Sequence, residues 1–158
     1  MAILNIVKDT DETIRKKSRE VSEITPRILT LLDDMKETLH HANGVGLAAV
    51  QVGVLRRVVL VEYEEGNTIE LINPEIIEKE GEQEGLEGCL SVPERWGVTK
   101  RPKKVTVKAL DRNGKEFTLT AQDLGARAIC HECDHLEGIL FTDVAERLLT
   151  EEEMEELG

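Results

Sequence analysis

The chain has 158 residues and a mass of 17.7 kDa, and 20 basic against 32 acidic side chains give a formal charge of −12. That length suits one domain, and 40% hydrophobic with 33% charged residues supplies a core and a solvated shell, which excludes a disordered chain. No window holds the roughly 18 apolar residues of a membrane span, and the acidic balance with so few aromatics (Tyr63, Trp96, Phe117, Phe141) argues against binding nucleic acid.

The opening stretch lacks a basic start followed by an apolar run, so a cytoplasmic location is expected instead of a secretory signal. Thr25-Pro26 supplies a cap and a first-turn proline, after which Ile28, Leu31, Leu32, Met35 and Leu39 recur at helical spacing up to a stop at Asn43-Gly44. The segment Gly44-Val45-Gly46-Leu47-Ala48-Ala49-Val50-Gln51 follows. Its spacing imitates a dinucleotide fingerprint, but a helix stands where that motif requires a strand, so the reading fails. Two readings remain open for it: small residues packed closely after a helix cap, or a cleft wall of bare glycine backbone with the Gln51 amide as a donor.

β-branched runs at 57–61, 68–72, 104–108 and 116–120 predict strands, the last two flanking the hairpin signal Asp111-Arg112-Asn113-Gly114. The basic run Lys100-Arg101-Pro102-Lys103-Lys104 reads as a solvated loop leading into the third of these. A second helix is predicted after Thr120, with Thr120-Ala-Gln-Asp123 as a capping box, and ends near Glu137 before Gly138. Residues 146–158 form an acidic tail, predicted helical from a second box at Thr150-Glu-Glu-Glu153. The expected fold class is α+β, with largely antiparallel sheets around a central helix and a single domain over residues 1–145.

That helix carries His131-Glu132-Cys133-Asp134-His135. Residues four apart lie about 40° from each other on a helix, so both imidazoles reach one metal ion, and Glu132 sits beside it as a general base for metal-bound water. Leu124, Arg127 and Ala128 continue the same stripe as an apolar approach to the histidines. A third ligand is required. Cys130 and Cys133 point about 100° or more away from the histidines and read as core packing. Cys89, in Glu87-Gly88-Cys89-Leu90-Ser91, remains, giving a thiolate and two imidazoles with an open fourth position.

Taken in order, Gly44–Gln51, Glu87–Ser91 and His131–His135 resemble the three signature motifs of the peptide deformylase family, and the resemblance covers roughly residues 1–145. It implies Cys89, His131 and His135 as metal ligands and Glu132 as the acid/base. It also implies Gln51 and the Leu90 amide as donors to the oxyanion. The implied ion is Fe(II), with Zn, Ni or Co possible. The implied substrate is the formyl-methionine of nascent polypeptides, bound along Gly44, Val45, Gly46, Glu87 and Gly88, with its side chain among Val45, Leu124, the Arg127 stem and Ala128. Asp134 is expected to pair with Arg101 in support of the ligands.

Two features depart from the family pattern. Trp96 stands where some members carry a polar or basic residue. The acidic tail offers no basic helix for docking on the ribosome, so a transient encounter is expected, without direct nucleic-acid binding and without a membrane. The histidines also allow two other uses: a peptidase whose third ligand is a tail glutamate among Glu152, Glu153, Glu155 and Glu156, and a closed structural zinc site completed by His40 or His41.

Overall fold

The computed structural model describes residues 2–157. A 3-10 turn over Glu12–Arg15 precedes α1, Pro26–Ala42, which starts where the Thr25 hydroxyl accepts the Ile28 N–H. It ends on Asn43 at φ +54°, whose neighbours close a Schellman motif: Gly44 N–H donates to Leu39 and Asn43 N–H to His40. Then come β1 (Gly46–Ala48), a 3-10 turn (Ala49–Val52), β2 (Val58–Glu64), β3 (Asn67–Glu80), β4 (Gln83–Cys89), β5 (Val92–Arg101), β6 (Lys104–Leu110) and β7 (Glu116–Gln122). The chain finishes with α2 (Leu124–Leu136), α3 (Phe141–Val144), β8 (Arg147–Leu148) and α4 (Glu151–Leu157).

Two antiparallel sheets result, one in the order β1-β2-β3-β6-β7 and one in the order β4-β5-β8, so the protein is α+β. The run Val58-Val59-Leu60-Val61 is apolar throughout because β2 is covered on both faces. Val58 and Leu60 pack with Ile28, Leu32, Met35 and Leu39 of α1, whereas Val59 and Val61 pack with Ala126, Ile129 and Cys130 of α2. β6, covered on one face, alternates instead: Val105, Val107 and Ala109 turn inward and Lys104, Thr106 and Lys108 outward.

The structure corrects the predicted start of the second helix. Thr120 belongs to β7, where its hydroxyl meets that of Thr106 across the strands at 2.9 Å, and the helix begins at Leu124 after Asp123, whose side chain makes no capping bond. The threonine-rich run 116–120 satisfies a strand first, and strand pairing with β6 outcompetes the local cap. The hairpin differs in detail too. Asn113 does not take a positive φ; Asp111 accepts the N–H groups of Asn113 and Lys115, and Gly114 alone, at φ +80°, turns the five-residue loop. Beyond residue 145, β8 pairs with β5, and Thr150 and Glu153 exchange side-chain and backbone bonds at 3.1 Å ahead of α4. Position 158 of the tail lies outside the described residues.

Gly138 ends α2 in a second Schellman motif, with Ile139 N–H donating to Asp134 and Gly138 N–H to His135. Its φ is +76°, and a Cβ there would stand 2.2 Å from the Arg15 carbonyl oxygen. Gly138→Ala is therefore expected to destabilise the protein by more than about 2 kcal/mol. The urea midpoint of the variant against the parent measures it.

Candidate metal centre and active site

α2 spans Leu124–Leu136 without a proline, and burial of its interior face stabilises it where Gly125, Cys130 and the histidines contribute little propensity. His131 and His135 project from it, their rings edge to face with centroids 5.0 Å apart, and Phe141 stacks on His131 at 6.2 Å. Cys89 arrives from the other sheet, at the end of β4, with Sγ 3.3 Å from His135 Nε2. The ligand atoms of Cys89, His131 and His135 all lie within 4.8 Å of one another, a span that one ion with bonds of about 2.0–2.3 Å bridges. Among the described residues no other three such side chains come together. His40 instead bonds Glu62 at 2.6 Å, and Glu153 of the tail bonds Arg147 at 2.9 Å. Cys130 is buried in the core and Cys133 half-buried against it.

The donor set fits a metal on grounds of its surroundings. His131 Nδ1 is engaged at 2.5 Å by the Glu87 carboxylate, which fixes the ring and leaves Nε2 as its ligating atom. His135 is held well below the usual imidazole range, first by burial and then by the charge of His131, so it offers a neutral nitrogen. Glu132 is buried, and its Oε1 has no partner, a costly arrangement for a carboxylate unless a cation and water lie beside it. Burial pushes its pKa up to about 7, against the opposing charge of His131. Gly46 makes room for this carboxylate: a Cβ at that position would stand 2.5 Å from Glu132 Oε2.

Glu87 is the hub behind the ligands. It is 4% exposed and accepts from Arg101 Nε at 3.0 Å and Nη2 at 2.6 Å, from Thr99 at 2.8 Å, and from Arg127 Nη1 at 3.0 Å, besides His131. Burial works against its ionisation, but the bonds from His131 and Arg101 and their charges outweigh it and hold the carboxyl far below the usual range. Asp134 accepts from Arg101 Nη1 at 2.7 Å, so the network runs from α2 through β5 to β4 and back. The charged groups of Glu87 and Arg127 bond each other, both bond Thr99, and Glu87 bonds His131, while both residues border the cavity.

That cavity, about 380 Å³, is bordered by Gly44, Val45, Gly46, Gln51, Gly88, Leu90, Leu124, Ala128, His131 and Glu132. Gln51 is 1% exposed. Its Oε1 accepts the Ala48 N–H at 2.9 Å, which turns Nε2 toward Ser91 Oγ at 3.0 Å and Cys89 Sγ at 3.6 Å. Ser91, buried and without an assigned role in the sequence, thus orients the amide. The pairing of Cys89 with Val92 leaves Leu90-Ser91 as a two-residue turn without positive φ. A buried acid beside three ligating atoms, with amide donors across a partly apolar cavity, is suited to adding water to a small carbonyl group.

The model of the polypeptide deformylase family matches residues 3–151. The chain is 57% identical over 157 residues to the peptide deformylase of Thermoanaerobacter pseudethanolicus, covering 99% of this chain and 98% of that protein. It is also 56% identical over 143 residues to peptide deformylase 1 of Clostridium acetobutylicum, covering 90% and 95%. The crystal structure of a peptide deformylase from Thermotoga maritima superposes with a TM-score of 0.88 at 32% identity, over 92% of this chain and 99% of that one. One from Legionella pneumophila superposes at 0.87 and 40% identity, over 98% and 90%. With its family model matched over nearly its whole length, this chain belongs to the polypeptide deformylase family.

Proposed function

We propose that this member is a metal-dependent hydrolase that removes the formyl group from the N-terminal formyl-methionine of nascent polypeptides. The observation that carries the reading is the buried Glu132 carboxylate beside the Cys89, His131 and His135 ligand atoms at the end of a cavity bordered by Gln51. Those three residues would hold the ion, Fe(II) as the native choice and Zn, Ni or Co as alternatives; a thiolate with two imidazoles suits such borderline ions. When bound, the ion supplies Lewis acidity, making water more acidic and a carbonyl more electrophilic.

The chain's own residues do the rest. Glu132 takes a proton from the attacking water as the water oxygen bonds to the formyl carbon. The Gln51 amide and the Leu90 N–H donate to the carbonyl oxygen as it gains charge. Glu132 then delivers the proton to the methionine nitrogen while the C–N bond breaks. The formic acid released ionises to formate, and its proton is taken up by the new amino group. Val45, Leu124, Ala128 and the Arg127 stem are proposed to receive the methionine side chain along a strand-like path past Gly44, Gly46 and Gly88.

Replacing Gln51 by Ala removes one oxyanion donor and is expected to lower kcat by about 10²–10³-fold with little change in KM. Steady-state kinetics at equal metal content check it.

We further propose a cytoplasmic enzyme that meets ribosomes transiently, since a chain of net charge −12 is repelled by an RNA-rich surface. No direct binding of nucleic acid or membrane is proposed, and no helix is long and apolar enough to cross a membrane among the described residues. Mass spectrometry of a formyl-Met tripeptide after incubation tests the function. Loss of the formyl group alone supports it. An intact formyl group, or cleavage of a peptide bond, contradicts it.

A further inference from the structure

Two main-chain bonds join the start of the chain to the Gln51 side of the cavity. The Val7 N–H donates to the Gln51 carbonyl at 2.7 Å, and the Asp9 N–H donates to the Ser91 carbonyl at 2.8 Å. Gln51 and Ser91 are buried, so each carbonyl depends on a donor from the protein. They are also the two residues whose side chains bond each other, Gln51 Nε2 donating to Ser91 Oγ at 3.0 Å.

These partners come from different parts of the fold. Gln51 follows β1 of the five-stranded sheet, whereas Ser91 lies between β4 and β5 of the three-stranded one. Donors two residues apart face the same side of an extended chain, so one short segment reaches both sheets at once. That segment is itself fixed at each end. The Leu4 N–H donates to Thr38 Oγ1 of α1 at 2.8 Å, and Ile14 is fully buried in the core. Between them the Asp11 N–H donates to the Lys8 carbonyl at 3.0 Å and closes the turn Lys8-Asp9-Thr10-Asp11.

We propose that Val7 and Asp9 are positioning residues for deformylation: their main-chain N–H groups clamp Gln51 to Ser91 across the two sheets and so aim Gln51 Nε2 at the substrate's carbonyl oxygen. This rests on the deformylase reading above. An amide released from the clamp keeps its donor but loses its direction. The loss is felt where charge develops on that oxygen, in kcat and not in KM.

The test uses proline to delete one N–H at a time. Asp9 is exposed and stands at the second position of its turn, where proline is favoured, so Asp9→Pro removes the donor with little other change. Val7→Pro removes the other donor and carries the test if Asp9→Pro does not fold. Asp9→Ala and Val7→Ala keep the N–H. Steady-state kinetics on formyl-Met-Ala-Ser, at equal metal content, compare each variant alone and combined with Gln51→Ala. Each proline variant is expected to lower kcat by about 10–100-fold with KM within about twofold, and each alanine variant to stay within about threefold of the parent. On the Gln51→Ala background the proline penalty shrinks to about threefold or less, because the amide through which it acts is gone. A merely structural weakening would reappear there in full. Proline variants with the parent's kcat, alanine variants as slow as the proline ones, or a penalty above about threefold on the Gln51→Ala background overturn the proposal. A parent that releases no formate, or Gln51→Ala with the parent's kcat, overturns instead the reading on which it rests.

Discussion

Glu132→Gln lowers kcat for deformylation by about 10³–10⁴-fold while the protein keeps its metal. The two side chains are nearly the same shape, so the pocket that Gly46 leaves for the carboxylate is filled as before. What is lost is the ability to accept and return a proton. The ligand group contains Cys89, His131 and His135 and not Glu132, so metal content is expected to stay at the parent's level.

A second readout separates this from general damage. Burial raises the Glu132 pKa to about 7, so the folded metal-free protein holds this proton more tightly than the unfolded chain does. Ionisation therefore opposes folding, and metal-free stability falls as pH rises from the ordinary carboxylate range through about 7. The Gln variant lacks that penalty. It should be less active than the parent and, without metal above pH 7, more stable.

Glu87→Gln is expected to have the largest effect on stability, about 3–5 kcal/mol, because it leaves Arg101 buried without its bidentate partner. Arg127 loses the same anion and His131 its anchor, so metal affinity should fall by about 10–100-fold as well. The sign of the pH dependence follows from a folded pKa below the unfolded one. Glu87 contributes its full stabilisation above the ordinary carboxylate range and loses it as pH falls through the folded value. Urea midpoints of chelated parent and variant should differ most near neutrality and converge in acid. A constant difference across that range contradicts the assignment.

Much of this site was legible from residue types and spacing. The helix period put His131 and His135 on one face and turned Cys130 and Cys133 away, and the β-branched runs located β2, β3, β6 and β7. The second sheet was silent, because Gln83-Glu84-Gly85-Leu86-Glu87-Gly88-Cys89 has neither a β-branched run nor alternation, and its pairing with β5 rests on tertiary contacts. The role of the Glu87 carboxylate was hidden for the same reason. Its five donors come from β5 and α2, and no local pattern announces that Thr99, Arg101, Arg127 and His131 converge on one side chain. Ser91 was visible as a residue but acquired its role only through the turn at Leu90-Ser91.

Cys89, His131 and His135 together are proposed to hold one ion with an open position. The absorption spectrum of anaerobically prepared Co(II) protein tests it most directly. One Co(II) per chain with a thiolate charge-transfer band that Cys89→Ala abolishes, and ligand-field bands that shift when a hydroxamate is added, is the predicted result. A spectrum without the thiolate band, or one that hydroxamate leaves unchanged, would contradict it.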